Sequence, residues 1–231
     1  MEPSEVRETR QFTPKALVTR QRIIDTAWRL FATKGYDQTT MREIAAEASC
    51  SLGLTYRYFA SKEDLVLELY RWLVLQLEEL VPLLPAASIA DRFHHLMHAL
   101  LEVMAPHRLT LVALSGAALN PLSRAGVFGV EGAEVRRRAL ASYRLLVSGA
   151  RDVPRASQRD DMATLLYGVQ LALVLFWLQD LSAETRQTEE LLQFIHELLE
   201  RLRPLLRIPW TAQLLARFVH IVGPLLGSGN K

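Results

Sequence analysis

The sequence predicts an all-α fold in which a small N-terminal helical domain is followed by a larger helical domain. Leu, Ala, Arg and Glu, which favour helices, dominate the 231 residues. No run of alternating β-branched residues is bounded by hairpin turns, so no strand is expected. Apolar residues recur instead at helical spacing, and prolines fall in the connections between these stretches.

The first helix is predicted between Thr13, a suitable N-cap, and Gly35, a residue type that commonly ends helices. Pro14 fits the first turn, where the N–H that proline lacks would have no helical partner. Apolar residues at helical spacing form one buried stripe along this helix. They are Ile23, Ile24, Ala27, Leu30 and Phe31.

Three capping signals place the next helices. Thr40 and Glu43 form a capping box that begins a second helix. Ser51 can cap a very short third helix, which ends at Tyr58, and Ser61 can cap a fourth. Because isolated helices this short are marginal in water, we expect the first and fourth helices to hold the second and third.

The remainder is predicted to be helical as well. Six further helices are expected over Ser88–Ala105, His107–Leu119, Phe128–Ala150, Asp160–Leu181, Glu184–Arg203 and Trp210–Leu226. The predicted organisation is a disordered tail over residues 1–12, a small domain over 13–65, a larger domain over 66–226 and a disordered tail over 227–231.

Composition limits the class of protein. Half of the residues are hydrophobic, which is enough to bury a sizeable core. Cys50 is the single cysteine, which excludes a disulfide framework and favours a reducing compartment. The polar N-terminus lacks a signal-peptide core, and the longest apolar stretch, Leu165–Leu178, is shorter than the ~20 residues of a membrane span. We therefore expect a soluble cytoplasmic protein.

Basic residues are concentrated in the N-terminal part of the chain. Nine basic and four acidic residues lie between Arg10 and Lys62, so this segment carries a net charge of +5, against +2 for the whole chain. A local basic excess is typical of a surface that binds phosphate, although a solvated charged face has the same composition.

The two short helices around Ser51 have the helix-turn-helix arrangement, in which the second helix can enter the major groove of DNA. Tyr56 and Tyr58 carry hydroxyls that can donate to phosphate, and Arg57 and Lys62 supply positive charge nearby. Lys62 also begins a helix, whose free amides favour an anion.

A known family has this pattern of residues. The stretch from Ile23 to Leu65 reads IIDTAWRLFATKGYDQTTMREIAAEASCSLGLTYRYFASKEDL. From about Thr19 to Leu69 the chain resembles the DNA-binding domain of the tetracycline-repressor-like (TetR) transcription regulators. The resemblance covers roughly the first third of the chain, and beyond it only the all-helical pattern agrees.

The resemblance implies roles for individual residues. Arg42, Leu52 and Gly53 would approach the bases of a double-stranded DNA operator. The residues that would contact or support the DNA backbone are Thr40, Ser51, Tyr56, Arg57, Tyr58 and Lys62. Thr40 and Ser51 would cap helices in any helical protein. For these two residues, contact with the DNA backbone and a purely structural capping role are both open.

Two positions depart from the family pattern. Ser49 stands in the turn where the family usually has glycine, and serine is less comfortable if the turn needs a positive φ. Leu52 stands where a polar residue is usual, and Leu54 follows after Gly53, so base reading would depend more on apolar contact with thymine methyl groups and on Arg42 than on paired hydrogen bonds.

A dimer is expected, because one short reading helix gains affinity when a second copy binds a symmetric operator. The helix from Leu165 is apolar on nearly every face and, with the helix that follows it, could form a four-helix bundle with a second copy. A monomeric core helix is the alternative. The predicted interface residues are Leu166, Gln170, Leu173, Val174, Trp177, Leu191, Ile195, Leu198 and Leu202.

By the same resemblance, the helices between Ser88 and Ala150 would enclose a small hydrophobic or amphipathic effector, although their apolar residues suit an ordinary core equally well. The predicted pocket residues are Phe93, His94, Met97, His98, Leu101, Met104 and Leu111. No cofactor is predicted. Asp91, His94 and His98 have a spacing that can hold a transition metal, but pocket hydrogen bonding or surface histidines explain them too.

Catalysis has no supporting pattern, since no nucleophile–base–orienter set and no glycine-rich phosphate loop occurs in the sequence. The resemblance predicts a homodimeric, ligand-released repressor and no enzyme. Two alternatives stay open: a DNA-binding structural factor without an effector, and a metal-responsive regulator that uses the histidine cluster.

Overall fold

The computed structural model describes residues 13–120, 122–204 and 208–227, and in these ranges the chain is helical without any β-strand. The α-helices are α1 (Pro14–Lys34), α2 (Met41–Glu47), α3 (Leu52–Tyr58), α4 (Lys62–Leu80), α5 (Ile89–Met104), α6 (Arg108–Leu119), α7 (Ala133–Ser148), α8 (Ala156–Gln179), α9 (Arg186–Leu202) and α10 (Pro209–Leu226). The all-α prediction is confirmed. The predicted tail over 1–12 lies outside the described residues, as do residues 228–231 of the tail predicted over 227–231. Its first residue, Gly227, is described and ends α10 with φ of +86°.

The capping signals of the sequence account for the first helices. Thr13 Oγ1 accepts from the Ala16 amide at the start of α1, and Gly35, with φ of +93°, ends that helix. The Thr40–Glu43 capping box begins α2 with both of its hydrogen bonds present. Local side-chain chemistry therefore sets where these helices begin and end.

α1 to α4 share one core. This core contains Ile23 and Phe31 of α1, Ile44 of α2, Phe59 directly after α3, and Leu65 of α4, and all five side chains are buried together. These side chains give the two short helices the apolar partners that they lack alone. The expectation that α1 and α4 hold α2 and α3 is confirmed.

An aromatic junction connects this N-terminal part to the rest of the chain. The Trp28 and Trp72 rings lie edge to face, 6.0 Å apart, and His107 packs against both, at 5.4 and 4.8 Å. Thr110 Oγ1 on α6 donates to the Trp28 carbonyl at 3.2 Å. The predicted domain boundary after residue 65 falls inside the continuous helix α4, so the two parts are joined by a rigid element.

α5, α7 and α8 form the core of the larger part. Phe93, Leu96, Tyr143 and Leu146 are fully buried, and the Tyr143 hydroxyl donates to the side-chain oxygen of Gln170 on α8. A buried hydroxyl with a buried acceptor satisfies both groups and fixes the register of α7 against α8.

The helix predicted over Phe128–Ala150 begins later, at Ala133. Residues 122–132 form turns instead, and Arg136 holds them by donating to the carbonyls of Val127 at 2.7 Å and Gly129 at 2.8 Å. A buried guanidinium needs acceptors, and these carbonyls are available only outside a helix.

α8 is the longest helix of the described chain. Its 24 residues are long and apolar enough to cross a membrane by length and composition alone. Half of its most apolar window is buried in the fold, where α7 and α10 pack against α8. The hydrophobicity of α8 therefore serves packing within the protein.

Candidate functional site

The turn between α2 and α3 sets the angle of the helix-turn-helix pair. The Cys50 amide donates to the Ala45 carbonyl at 2.9 Å, and Ser49 adopts φ of +52°. This left-handed conformation favours glycine. The turn therefore does need a positive φ, which makes serine less comfortable than glycine at this position. Ser51 Oγ then accepts from the Leu54 amide at 3.1 Å and begins α3.

One face of α3 is open to solvent. Gly53, Tyr56 and Arg57 share this face and are exposed, whereas Thr55 on the opposite face is fully buried. A Cβ at Gly53 would meet no atom within 4 Å. The fold thus presents backbone, a phenol and a guanidinium on the surface that the sequence predicted to face DNA.

Leu52 is placed differently from the expectation. Its side chain is half-buried and packs against the hydrophobic core, because it lies on the flank of α3 that faces the protein. Leu54 is half-buried as well. Base reading through these two leucines is therefore restricted to their exposed portions.

Arg42 on α2 and Arg57 on α3 are the arginines best placed for DNA. Both are exposed, and neither side chain forms a hydrogen bond or ion pair with any residue within the described ranges. Three other basic residues of this part are paired with carboxylates: Arg20 with Glu68 at 2.5 Å, Arg29 with Glu47, and Lys34 with Glu43. Two cations on neighbouring helices thus remain available for phosphate or base edges.

Thr40 and Glu43 form a closed hydrogen-bonded unit. Glu43 Oε2 accepts from the amide and the hydroxyl of Thr40, each at 2.9 Å. The hydrogen bond from Lys34 and those from Thr40 lower the pKa of Glu43 to about 2. Thr40 is therefore firmly a cap, and its contact with DNA stays a prediction.

Lys62 has a partner that the sequence did not reveal. Its ammonium donates to the Tyr36 carbonyl at 2.8 Å and lies 4.4 Å from the centre of the Tyr36 ring. The Tyr36 hydroxyl donates to Glu63 Oε1 at 3.2 Å, which binds the loop after α1 to the start of α4. Lys62 thus supports the loop before α2, and only its remaining N–H donors are available to phosphate. No sequence signal marked Tyr36.

None of the predicted effector residues lines the cavity described below. Phe93, Met97, Met104 and Leu111 are buried in the core, and Leu101 is half-buried against it. A cavity of about 480 Å³ lies elsewhere, between the start of α5, the α7–α8 connection and α8 to α10. Its lining residues are Ile89, Ala90, Arg151, Asp152, Val153, Pro154, Arg155, Gln158, Met162, Leu165, Leu199, Leu202, Arg203 and Leu215. The seven predicted positions are absent from this lining, because helical periodicity cannot tell a cavity wall from a filled core.

The predicted histidines lie on one face of α5, against α9. His98 Nε2 is 3.1 Å from Glu189 Oε1, and Asp91 Oδ1 is 2.9 Å from His196 Nε2. Burial lowers the pKa of His94, and the neighbouring His98 and His196 lower it further. Glu189 and His196 were absent from the sequence prediction, because only the packing of α5 on α9 brings them to this face.

The predicted dimer residues divide into two groups. The first group is buried inside the single chain and consists of Leu166, Gln170, Leu173 and Trp177. These side chains stabilise the core of their own chain, so they are not free to contact a second copy. The half-buried or exposed group is Val174, Leu191, Ile195, Leu198 and Leu202. α10, which the sequence left without a role, covers part of α8 and exposes apolar side chains of its own.

Comparison with known proteins agrees with the helix-turn-helix geometry. Residues 23–69 match the family described as bacterial regulatory proteins, tetR family. One relative is the uncharacterized HTH-type transcriptional regulator YuxN of Bacillus subtilis (strain 168). It is 50% identical over 50 residues, which cover 22% of this chain and 17% of that protein. The HTH-type transcriptional repressor KstR2 of Mycobacterium tuberculosis (strain ATCC 25618 / H37Rv) is 33% identical over 97 residues, 40% of this chain and 48% of that protein.

The matched segments thus span between 17% and 48% of the length of these two relatives. Over more of the chain, the fold is similar to the crystal structure of the TetR transcriptional regulator from Nitrosomonas europaea ATCC 19718. The TM-score is 0.58 at 19% identity, and the match covers 78% of this chain and 96% of the other. At this identity the similarity concerns the fold alone.

Proposed function

We propose, from the premise that residues 23–69 belong to the tetR family of bacterial regulatory proteins, that this chain is a homodimeric transcriptional repressor. It binds a palindromic DNA operator in the cytoplasm and is released by a small amphipathic molecule. The observation that carries the proposal is the pair of exposed, unpaired arginines, Arg42 and Arg57, on the two helices of the helix-turn-helix.

DNA binding follows from the chemistry of this surface. With α3 in the major groove, Gly53 lets the helix backbone approach the bases, and Arg42 reaches base edges beside it. Arg57 and Tyr56 lie on the same face and contact phosphates, which hold the helix in register.

Dimerisation is supported by the outer surface of α10. Leu214, Phe218, Ile221 and Leu225 form an apolar stripe on one side of this helix, and each is about half exposed or more. The opposite side, with Val219 and Leu226 buried, already packs on the same chain. A monomer rarely exposes so much contiguous apolar surface, and a second copy with the same stripe would cover it around a two-fold axis.

The cavity supports an amphipathic effector. Met162, Leu165, Leu199 and Leu215 offer an apolar wall, while arginine side chains lie at its edge. Arg203 is neutralised by Asp152 at 3.1 Å, whereas Arg151 and Arg155 are exposed. An apolar molecule with an acidic group therefore suits this lining better than a wholly apolar one.

Release from DNA requires that the effector favour one arrangement of the dimer. Reading helices of a dimer bind half-sites about 34 Å apart, so a change in their separation lowers DNA affinity. The Trp28–Trp72–His107 junction and the continuous helix α4 give the larger part a rigid connection to the helix-turn-helix. The expected loss of DNA affinity is about 5–150-fold, the usual range of such coupling.

The test is fluorescence anisotropy of the purified chain on DNA from upstream of its own gene, against scrambled DNA, at two salt concentrations. Arg57→Ala should weaken binding to both DNAs. It should also reduce the slope of the logarithm of the binding constant against the logarithm of the salt concentration by about 1, as the loss of one phosphate contact does. Arg42→Ala should also reduce the preference for the operator over scrambled DNA.

Arg186→Ala is the matched control, because Arg186 is an exposed arginine at the start of α9, in the other part of the chain. Its affinity and salt dependence should equal those of the unaltered chain. If Arg42→Ala and Arg57→Ala bind DNA as tightly as this control does, the proposed interface is wrong.

A further inference from the structure

The seam between α5 and α9 gathers six potential metal ligands outside the DNA-binding surface. The two helices run antiparallel, since Asp91 near the start of α5 meets His196 near the end of α9, and His98 meets Glu189. The ligand-type residues of the seam are Asp91, His94 and His98 on α5 and Glu189, His196 and Glu200 on α9.

His94 is the centre of this seam. Its ring lies 4.6 Å from that of His98 and 5.1 Å from that of His196. Its Nε2 atom is buried and has no hydrogen-bond partner among the described residues. A buried polar nitrogen without a partner is costly, and an ion bound between these groups would satisfy it.

We propose that His94, His98 and Glu189 bind one divalent transition-metal ion between α5 and α9. The three ligand atoms already lie within 4.8 Å of one another. Tetrahedral coordination at ~2.0–2.2 Å from the metal brings ligand atoms to about 3.4 Å from each other, so small side-chain rotations complete the site. Water can supply the fourth ligand, while His196 Nε2 stays paired with Asp91 Oδ1 at 2.9 Å.

The ligand set selects the class of metal. Two imidazoles with one carboxylate suit Zn²⁺, Co²⁺ or Ni²⁺, whereas Mg²⁺ and Ca²⁺ need mostly oxygen ligands. The ion would fix α9 against α5, and both helices also line the cavity through Ile89 and Leu199. Metal binding is therefore expected to stabilise the part of the chain that holds the proposed effector site.

The test uses the full chain without a histidine tag and titrates it with Co²⁺, whose visible absorption reports tetrahedral coordination. One Co²⁺ should bind per chain and be displaced by Zn²⁺, while Mg²⁺ in large excess should not displace it. Zn²⁺ should also raise the Tm of the chain, because it binds the folded form. Neither measurement requires DNA, so the result is independent of the proposed repressor function.

Two variants and a control decide whether the ion binds at the seam. His94→Gln and Glu189→Gln should each weaken Co²⁺ binding by about 10–100-fold or more. Glu189 is exposed on α9, so its variant tests the site even if His94→Gln does not fold. His95→Gln is the control, because His95 is exposed on the same helix and its Nδ1 atom contacts the Asp91 carbonyl of its own helix at 2.7 Å.

The control should bind Co²⁺ as the unaltered chain does. The proposal is overturned if the unaltered chain binds no Co²⁺, or if His94→Gln and Glu189→Gln bind it as tightly as His95→Gln does.

Discussion

The helix-turn-helix part and the larger helical part differ in what they leave exposed. Around α2 and α3, apolar residues such as Ile44 and Phe59 are buried, and the open surface carries Arg42 and Arg57. On α10, by contrast, Phe218 is 49% exposed and Ile221 67% exposed. The first part therefore presents charge at the proposed DNA interface, whereas the second presents apolar surface at the proposed interface between copies.

A surface that binds DNA and a surface that binds another copy of the chain need different kinds of exposed side chain. A surface for DNA is made of side chains that are stable in water before the partner arrives. An interface between copies is made of side chains that gain free energy only when they are covered. The junction of Trp28, Trp72 and His107 packs the part that holds the first surface against the part that holds the second.

The largest expected effect comes from the core of the helix-turn-helix part. Phe59→Ala should lower the free energy of unfolding by about 3–5 kcal/mol, because it removes a ring that is 2% exposed and leaves a cavity. Urea unfolding measures this loss, and Phe59→Leu, which keeps most of the apolar volume, should lose much less. If the parts are as distinct as their surfaces suggest, Phe59→Ala should abolish DNA binding but keep the dimer.

The next effect concerns the α10 stripe. Phe218→Glu should weaken dimerisation by about 2 kcal/mol or more, because a carboxylate would be buried against apolar side chains. Sedimentation equilibrium measures the change. Leu122→Glu is the control, since Leu122 is 92% exposed in the connection after α6 and should leave the dimer intact. A fully dimeric Phe218→Glu chain would mean that the two copies meet elsewhere.

A smaller effect separates stability from DNA affinity at Gly53. Gly53→Ala should raise the free energy of unfolding by about 0.5–1 kcal/mol, because alanine is the better helix former and its Cβ meets no atom within 4 Å. The same methyl group should weaken operator binding by obstructing the approach of α3 to the bases.

Gly116→Ala on α6 is the matched control, because its Cβ also meets no atom within 4 Å. It should raise stability by a similar amount and leave anisotropy on the operator unchanged. If Gly53→Ala binds DNA like Gly116→Ala, then Gly53 does not face the bases.

The smallest effect is at the turn. Ser49→Gly should stabilise the chain by up to about 1 kcal/mol, because Ser49 has φ of +52° and glycine adopts this conformation without the steric cost. Thermal unfolding measures the gain, and DNA affinity should not change. Ser49→Ala, which keeps a Cβ at this φ, should show no such stabilisation. If Ser49→Ala were stabilised as much as Ser49→Gly, the gain would come from the loss of the hydroxyl group and not from the relief of the positive φ.

The sequence alone determined the features that depend on neighbouring residues. Thr13, Thr40 and Ser51 begin their helices as predicted, since a cap needs only a side chain and the next few amides. The all-α class follows in the same way from spacing and composition. The family resemblance marked Ser49 as a position where glycine is usual, and the structure gives Ser49 a positive φ of +52°.

The tertiary structure alone decided which distant residues meet. Periodicity could not assign the faces of α8, because this helix is apolar all round, and packing buries Leu166 and Trp177 in the chain itself. Only packing brings Glu189 and His196 to His94, or Tyr36 to Lys62. The reason is physical: a helix specifies its own hydrogen bonds locally, whereas its neighbour is selected by the fit of side chains far apart in the chain.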